Sequence, residues 1–149
     1  MTYMIELVKY KNEKNELCNL IKKFWIAHND YTSTDEEALE DLISWTGENH
    51  VVYFIRKEEN IIGFVHLASR GVRVDWLEDL FILPEYQGNG YGTGLISFAR
   101  DYAKTIDCYK MYLITNRSNI SACKCYEKAG GINKVDDEII YVYDFKEKN

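Results

Sequence analysis

Four glycines, Gly88, Gly90, Gly92 and Gly94, stand at alternate positions just after the apolar run 80–83 and Pro84. They lead into an amphipathic stretch that opens near Tyr91. A strand, a glycine turn and a helix N-terminus together make an anion site, because the first helical turn presents N–H groups with no intrahelical partner and a partial positive charge. Glycine lets that backbone come close to a phosphate. Two common nucleotide templates fail here: a dinucleotide fingerprint needs glycine where Thr93 stands, and the Gly-Lys-Ser/Thr of a P-loop is absent. What remains is Gln87-Gly88-Asn89-Gly90-Tyr91-Gly92, of the form Gln/Arg-x-x-Gly-x-Gly/Ala. Asn119 and Tyr126 are seven residues apart, about 700° of helix, so they fall within about 20° of one another and can reach a common ligand. Two carboxylates precede the turn and are suited to accepting a proton. Strand alternation sets Glu78 on the face of Leu80 and Ile82, and Asp79 on the opposite face.

The elements that must hold these residues follow from pattern. Residues 2–10 have the β-branched and aromatic content of a strand. Between 15 and 28, Leu17, Leu20, Ile21, Phe24 and Trp25 recur at helical spacing. Ser33 or Thr34 caps a second helix whose first turn carries Asp35, Glu36 and Glu37. Residues 50–56 and 61–69 form a hairpin, and 75–83 a further strand. A helix runs from Tyr91 to Thr105, a strand spans 109–115, a short helix spans 119–129 and stops at Gly130 and Gly131, and a last strand spans 138–145. The order β-α-α-β-β-β-α-β-α-β predicts an α/β (α+β) fold, a mixed, mostly antiparallel central sheet flanked by helices, in a single domain over residues 1–149.

Composition excludes several classes. A net charge of -6 argues against a phosphate-backbone partner, so no nucleic acid is expected, and it suits a cationic substrate such as an amine. The N-terminus is charged, without the apolar core of a signal peptide, and no apolar run approaches ~18 residues. The expectation is a cytoplasmic protein with no membrane partner. Cys18, Cys108, Cys123 and Cys125 lack zinc or redox spacing, and His28, His50 and His66 lack chelating spacing, so no metal is expected. His66, on the alternating face of Ile62 and Phe64, reads as a packed or edge histidine. The acidic run Asp35, Glu36, Glu37, Glu40 and Asp41 reads as a solvated helix face, or as a lip that attracts a polycation.

The stretch LeuPheIleLeuProGluTyrGlnGlyAsnGlyTyrGly resembles the acetyl-CoA motif of the GNAT superfamily of N-acetyltransferases, and Asn119-x-x-Ala122-x-x-x-Tyr126-x-x-x-Gly130 is similar to its downstream helix. The likeness covers residues 74–131; the family often has Phe where Gly131 stands. It implies acetyl-CoA as cofactor and direct transfer to a primary amine in a ternary complex. The pantetheine arm would bond to the backbone of Leu80, Phe81 and Ile82, and backbone N–H groups around Ile82 would meet the oxyanion. Gln87, Gly88, Asn89, Gly90, Tyr91, Gly92 and Thr93 would form the pyrophosphate turn. Asn119 would contact the cofactor arm and the Tyr126 hydroxyl would protonate the departing thiolate. Glu78 is the candidate base, with Asp79 the alternative. The family shapes its acceptor pocket between the first two helices, which makes Trp25, His28, Tyr31 and Trp45 candidate lining residues. LeuProGluTyrGlnGly and CysTyrGluLysAlaGly look like segments of aminoglycoside N-acetyltransferases, and a small amine, an aminoglycoside among the possibilities, is the expected acceptor. A protein N-terminus or lysine, and a non-catalytic acyl-CoA sensor, stay open as alternatives, as does a homodimer.

Overall fold

The computed structural model of the chain describes residues 2–8, 12–69, 74–106, 108, 110–134, 136, 139, 141–143 and 145. The elements are β1 (Met4–Leu7), α1 (Lys14–Asn29), α2 (Asp35–Trp45), β2 (His50–Lys57), β3 (Asn60–Ser69), β4 (Val74–Ile82), a 3-10 turn (Pro84–Tyr86), α3 (Tyr91–Thr105) and α4 (Ile120–Lys128). The four strands pair in sequence order, each antiparallel to the next. Strand β3 is buried along almost its whole length, because helices cover both faces of the sheet there.

Each helix forms where local chemistry and burial agree. Leu17, Leu20, Ile21 and Phe24 of α1 are buried on one stripe. At the start of α2 the Thr34 hydroxyl accepts from Glu37 N–H at 3.1 Å, while the Glu37 carboxylate accepts from Thr34 N–H at 3.0 Å. This reciprocal cap satisfies two otherwise unpaired donors. One core, under α1 and α2, joins Phe24, Leu42 and Trp45 to Phe54, Phe64 and Phe81. The other, under α3, joins Leu95 and Ala99 to Ile62, Val65, Leu77 and Ile82. Arg56 ties the N-terminal elements together through Glu6 at 3.1 Å and Glu13 at 2.7 Å.

Two predicted strands differ from expectation. In the segment 109–115, whose Tyr109 lies outside the described residues, one parallel bridge joins Trp76 to Tyr112, with Leu77 N–H donating to the Tyr112 carbonyl at 2.9 Å. The two rings stack at 5.4 Å. Beyond Leu77 no ladder joins β4 to this segment among the described residues, so the edge of β4 from Leu80 to Ile82 is left open. In the segment 138–145, Glu138, Ile140 and Asp144 lie outside the described residues. Ile139, Tyr141, Val142, Tyr143 and Phe145 are exposed and carry no strand pairing. β-propensity made both segments look like strands, but a ladder also needs a neighbour in register. Among the described residues no helix is long and apolar enough to cross a membrane.

Candidate active site

The glycine turn is braced from within. After β4 ends, the Gln87 side-chain amide donates to the Ile82 carbonyl at 2.9 Å, and the Asn89 amide donates to the carbonyls of Tyr86 and Gln87, both at 3.2 Å. Gly88 and Gly90 have φ of 81° and 86°, a conformation that strains any residue with a Cβ. Gly94 N–H donates to the Gly90 carbonyl at 3.0 Å, so Tyr91, Gly92 and Thr93 offer the unpaired N–H groups of the first turn of α3. The four glycines have different causes. A Cβ on Gly94 would come within 2.5 Å of the Tyr3 hydroxyl, so that glycine serves packing. A Cβ on Gly92 would lie 3.7 Å from Cys125 Sγ and 3.8 Å from Ile82 Cγ1, which shows that β4, α3 and α4 converge at this point. Tyr91 is only 3% exposed and packs edge-on to Tyr3, so it can offer a ligand its backbone and not its ring.

Strand β4 carries a bulge in the middle of the site. Asp79 pairs with His66 but Leu77 pairs with Leu67, so Glu78 is the extra residue. A bulge resets alternation and re-aims side chains. Leu77, Leu80 and Ile82 consequently all face α3, while Phe81 faces α1. This corrects the expectation that Glu78 continues the face of Leu80 and Ile82: Leu77 holds that direction, and Glu78 is exposed, with its charge felt by His50. The side chains of Phe81 and Ile82 are buried in the two cores, and Phe81 pairs with Phe64 of β3 while the Ile82 carbonyl accepts from Gln87.

Asp79 is not isolated. Its Oδ2 lies 2.8 Å from His66 Nδ1, and His66 Nε2 lies 2.8 Å from His50 Nδ1. The three side chains cross three adjacent strands. Trp45 stacks on the His66 ring at 4.8 Å and 20°. Burial first, and then the neighbouring His66, hold the His50 imidazole below its usual range, against an upward pull from Glu78. The sequence reading of His66 as a packed histidine missed this chain. Its signal was a histidine and an acid on adjacent strands, which registers only once the pairing of β2 with β3 and of β3 with β4 is known.

Helix α4 brings Tyr126 to the same place. Its phenol is pushed up to about 12, mainly by burial, and further by Cys125, Cys123 and the Asp79 carboxylate. Asn119 is the N-cap of this helix and its side chain accepts from Ala122 N–H at 3.3 Å. Its Oδ1 therefore holds the helix end, a role that the seven-residue spacing did not reveal. At the other end Gly131 N–H donates to the Tyr126 carbonyl at 2.9 Å and Gly130 N–H to the Glu127 carbonyl at 3.0 Å. Gly130 has φ of 92°, and the pair forms a Schellman stop. A Cβ on Gly131 would stand 2.8 Å from the Tyr126 carbonyl oxygen. The Gly131 departure thus reaches beyond the turn to the helix end that carries Tyr126.

The acceptor-pocket residues separate. Trp25 and Tyr31 line a cleft of about 230 Å³ with Asn29, Ser33, Glu37, Glu40 and Asp41. Trp25 Nε1 donates to Asp41 at 2.7 Å and Tyr31 donates to Glu37. Ser33 Oγ, in the same lining, is buried with no hydrogen-bond partner among the described residues. His28 rests against Phe24 and Phe81, with ring centroids 4.3 and 6.0 Å away. Trp45 lies in the core, stacks on His66 and meets the ring of Trp25 at 6.4 Å.

An antiparallel sheet with an open β4 edge, a glycine turn feeding a helix N-terminus and a tyrosine delivered by a second helix define the N-acetyltransferase class of α/β fold. The chain belongs to the acetyltransferase (GNAT) family, whose model matches residues 14–131. It is 28% identical over 107 residues to streptothricin acetyltransferase A of Bacillus subtilis (strain 168), covering 72% of this chain and 61% of the relative. It is 42% identical over 52 residues to spermidine N(1)-acetyltransferase of Escherichia coli (strain K12), covering 34% and 28%. The match thus spans less than two-thirds of either relative's length. Among solved structures, AAC(6')-Iy in complex with a bisubstrate analog shares the fold with a TM-score of 0.77 at 19% identity, covering 97% of this chain and 99% of that one. Ribosomal-protein-alanine N-acetyltransferase from Brucella melitensis shares it with a TM-score of 0.75 at 20% identity, covering 97% and 100%.

Proposed function

We propose that this protein is an acetyl-CoA-dependent N-acetyltransferase that moves an acetyl group to a primary amine by direct transfer, with a small cationic amine as acceptor. The observation that carries this reading is the convergence of the open β4 edge, the N-terminus of α3 and Tyr126 at Ile82, Gly92 and Cys125. Coenzyme A fits these residues: glycines at positive φ shape a turn with N–H groups of a helix N-terminus for a pyrophosphate, and the outer edge of β4 from Leu80 to Ile82, where the Ile82 carbonyl accepts from Gln87, can take an extended amide-bearing arm as an added strand. When bound it supplies an acetyl group activated as a thioester. The Tyr126 O–H, neutral at physiological pH, is suited to meeting the charge that grows on the departing sulfur. A carboxylate at the bulge, Glu78 or Asp79, takes the proton that the acceptor ammonium must lose before its nitrogen can attack.

The acceptor class rests on charge. The cleft between α1 and α2 carries Glu37, Glu40 and Asp41 together with the unpaired Ser33 hydroxyl, a lining suited to ammonium groups. The names of the two relatives give streptothricin and spermidine as their acceptors. Coenzyme A thiol release from acetyl-CoA across aminoglycosides, polyamines, amino acids and short peptides tests the reading, with Tyr126→Phe as control. Release confined to polycationic small amines supports it. Release with peptides alone would overturn the acceptor class, and binding of acetyl-CoA without release to any amine would overturn the enzyme.

A further inference from the structure

We propose that Asp79 is the carboxylate that takes the acceptor's proton, and that His66 and His50 are positioning residues that hold its Oδ2 and connect the site to the surface. The inference rests on the acetyl-transfer reading. The geometry separates the two carboxylates of the bulge. Asp79 is 24% exposed at its side chain, accessible to a ligand yet held, and close enough to Tyr126 to influence its phenol. Glu78, the extra residue of the bulge, is exposed.

The proton arrangement follows from the donor inventory. An ionised carboxylate only accepts, so His66 Nδ1 carries the hydrogen that faces Asp79. A neutral His66 then has Nε2 as acceptor, and His50 Nδ1 must donate to it. Both rings are therefore Nδ1–H tautomers, and His50 keeps Nε2 as its remaining acceptor. His66 is 3% exposed and stacked by Trp45 on one side and by His50, at 5.1 Å and 23°, so its ring cannot turn without disturbing α2 and β2. With Oδ2 held, Oδ1 of Asp79 receives the proton. One N–H bond of the ammonium breaks, an O–H bond forms, the electron pair stays on nitrogen, and Asp79 later returns the proton to solvent.

That proton does not leave through His66, whose Nδ1 is already protonated. The chain instead conveys charge inward. A proton taken up at His50 Nε2 lets the His50 Nδ1 hydrogen shift to His66 Nε2, which leaves an imidazolium against Asp79 and weakens Asp79 as a base. Among the described residues, the charged or titratable groups around the chain are Glu78 on β4 beside His50, Tyr126 on α4 beside Asp79, and Cys123 and Cys125 next to Tyr126. Trp45, which packs from α2, does not titrate. Activity is therefore expected to fall on the acid side as His50, held below its usual range by burial, takes up a proton.

Two measurements on the full chain test this. Long-range nitrogen–proton NMR of the imidazoles should show His50 and His66 as Nδ1–H tautomers at neutral pH; the Nε2–H form in either ring overturns the chain whatever the activity. In thiol release with an accepted amine, Asp79→Asn should lower kcat by about a hundredfold or more with KM for acetyl-CoA little changed. His50→Phe should lower plateau kcat by about threefold and move the acid limb of kcat/KM upward by more than about half a pH unit, because His66 Nε2 loses the hydrogen that now occupies it. Should Asp79→Asn stay within about tenfold of the parent while Glu78→Gln collapses, the assignment is overturned. An unmoved acid limb in His50→Phe reduces the pair to packing. Correct tautomers with no thiol release to any amine would strike the acetyl-transfer reading itself, and Asp79's role with it.

Discussion

Replacing Tyr126 by Phe tests how the site handles the leaving thiolate. A phenol at about 12 facing a thiol of pKa about 8.5 makes complete proton transfer uphill by about 3.5 pH units, or about 5 kcal/mol. The structure thus favours a phenol that donates a hydrogen bond to the growing charge over one that surrenders its proton early, which refines the simple acid role expected from the sequence. A hydrogen bond to a charged partner contributes about 1.5–3 kcal/mol, so Tyr126→Phe should lower kcat by about ten- to a hundredfold with KM for acetyl-CoA little altered. Because the folded phenol titrates well above an ordinary tyrosine, kcat of the parent should show no alkaline fall beginning near pH 10. The assay is thiol release under saturating acceptor from pH 7 to 10.5. A loss below about threefold, a loss above about a thousandfold, or an alkaline limb centred near pH 10 would refute the reasoning.

Replacing both Cys123 and Cys125 by Ala should leave turnover within about tenfold of the parent, as direct transfer requires; a larger loss in thiol release would point to an acyl-cysteine step. Thr34→Ala removes the reciprocal cap of α2 and should cost about 1 kcal/mol, seen as a Tm lower by about 2–4 °C in calorimetry. Gly131→Ala places a Cβ against the Tyr126 carbonyl and should cost about 1–3 kcal/mol by chemical denaturation, with kcat falling more than acetyl-CoA binding. Equal stability to the parent would show that the stop of α4 yields easily.

Much of the frame was legible before any coordinates. The predicted helix from Tyr91 to Thr105 matches α3, and the Thr34 cap matches the start of α2, because capping chemistry and helical periodicity are local. The hairpin of β2 and β3 was equally readable from two apolar runs and a short polar link. Among the described residues, segment 109–115 keeps one parallel bridge to β4 and segment 138–145 shows no pairing, because strand-like composition says nothing about a partner and pairing is a property of two segments at once. Asn119 is the N-cap of α4, and a residue just outside a helix does not follow the helix's angular spacing.

The sequence by itself determined the glycine turn, the helix that follows it, the tyrosine of α4 and the acidic first turn of α2, since each is written in residues close together along the chain. Tertiary structure alone decided which carboxylate faces which neighbour. One extra residue in β4 reverses the alternation at Glu78, and the register of two adjacent strand pairs sets Asp79 against His66 and allows His66 to meet His50. Side-chain direction in a sheet has a period of two, so a single-residue bulge inverts every inference drawn across it. Nothing in the local sequence announces that bulge, and the chain of Asp79, His66 and His50 exists only because two separate strand registers, β3 with β4 and β2 with β3, bring the three side chains together.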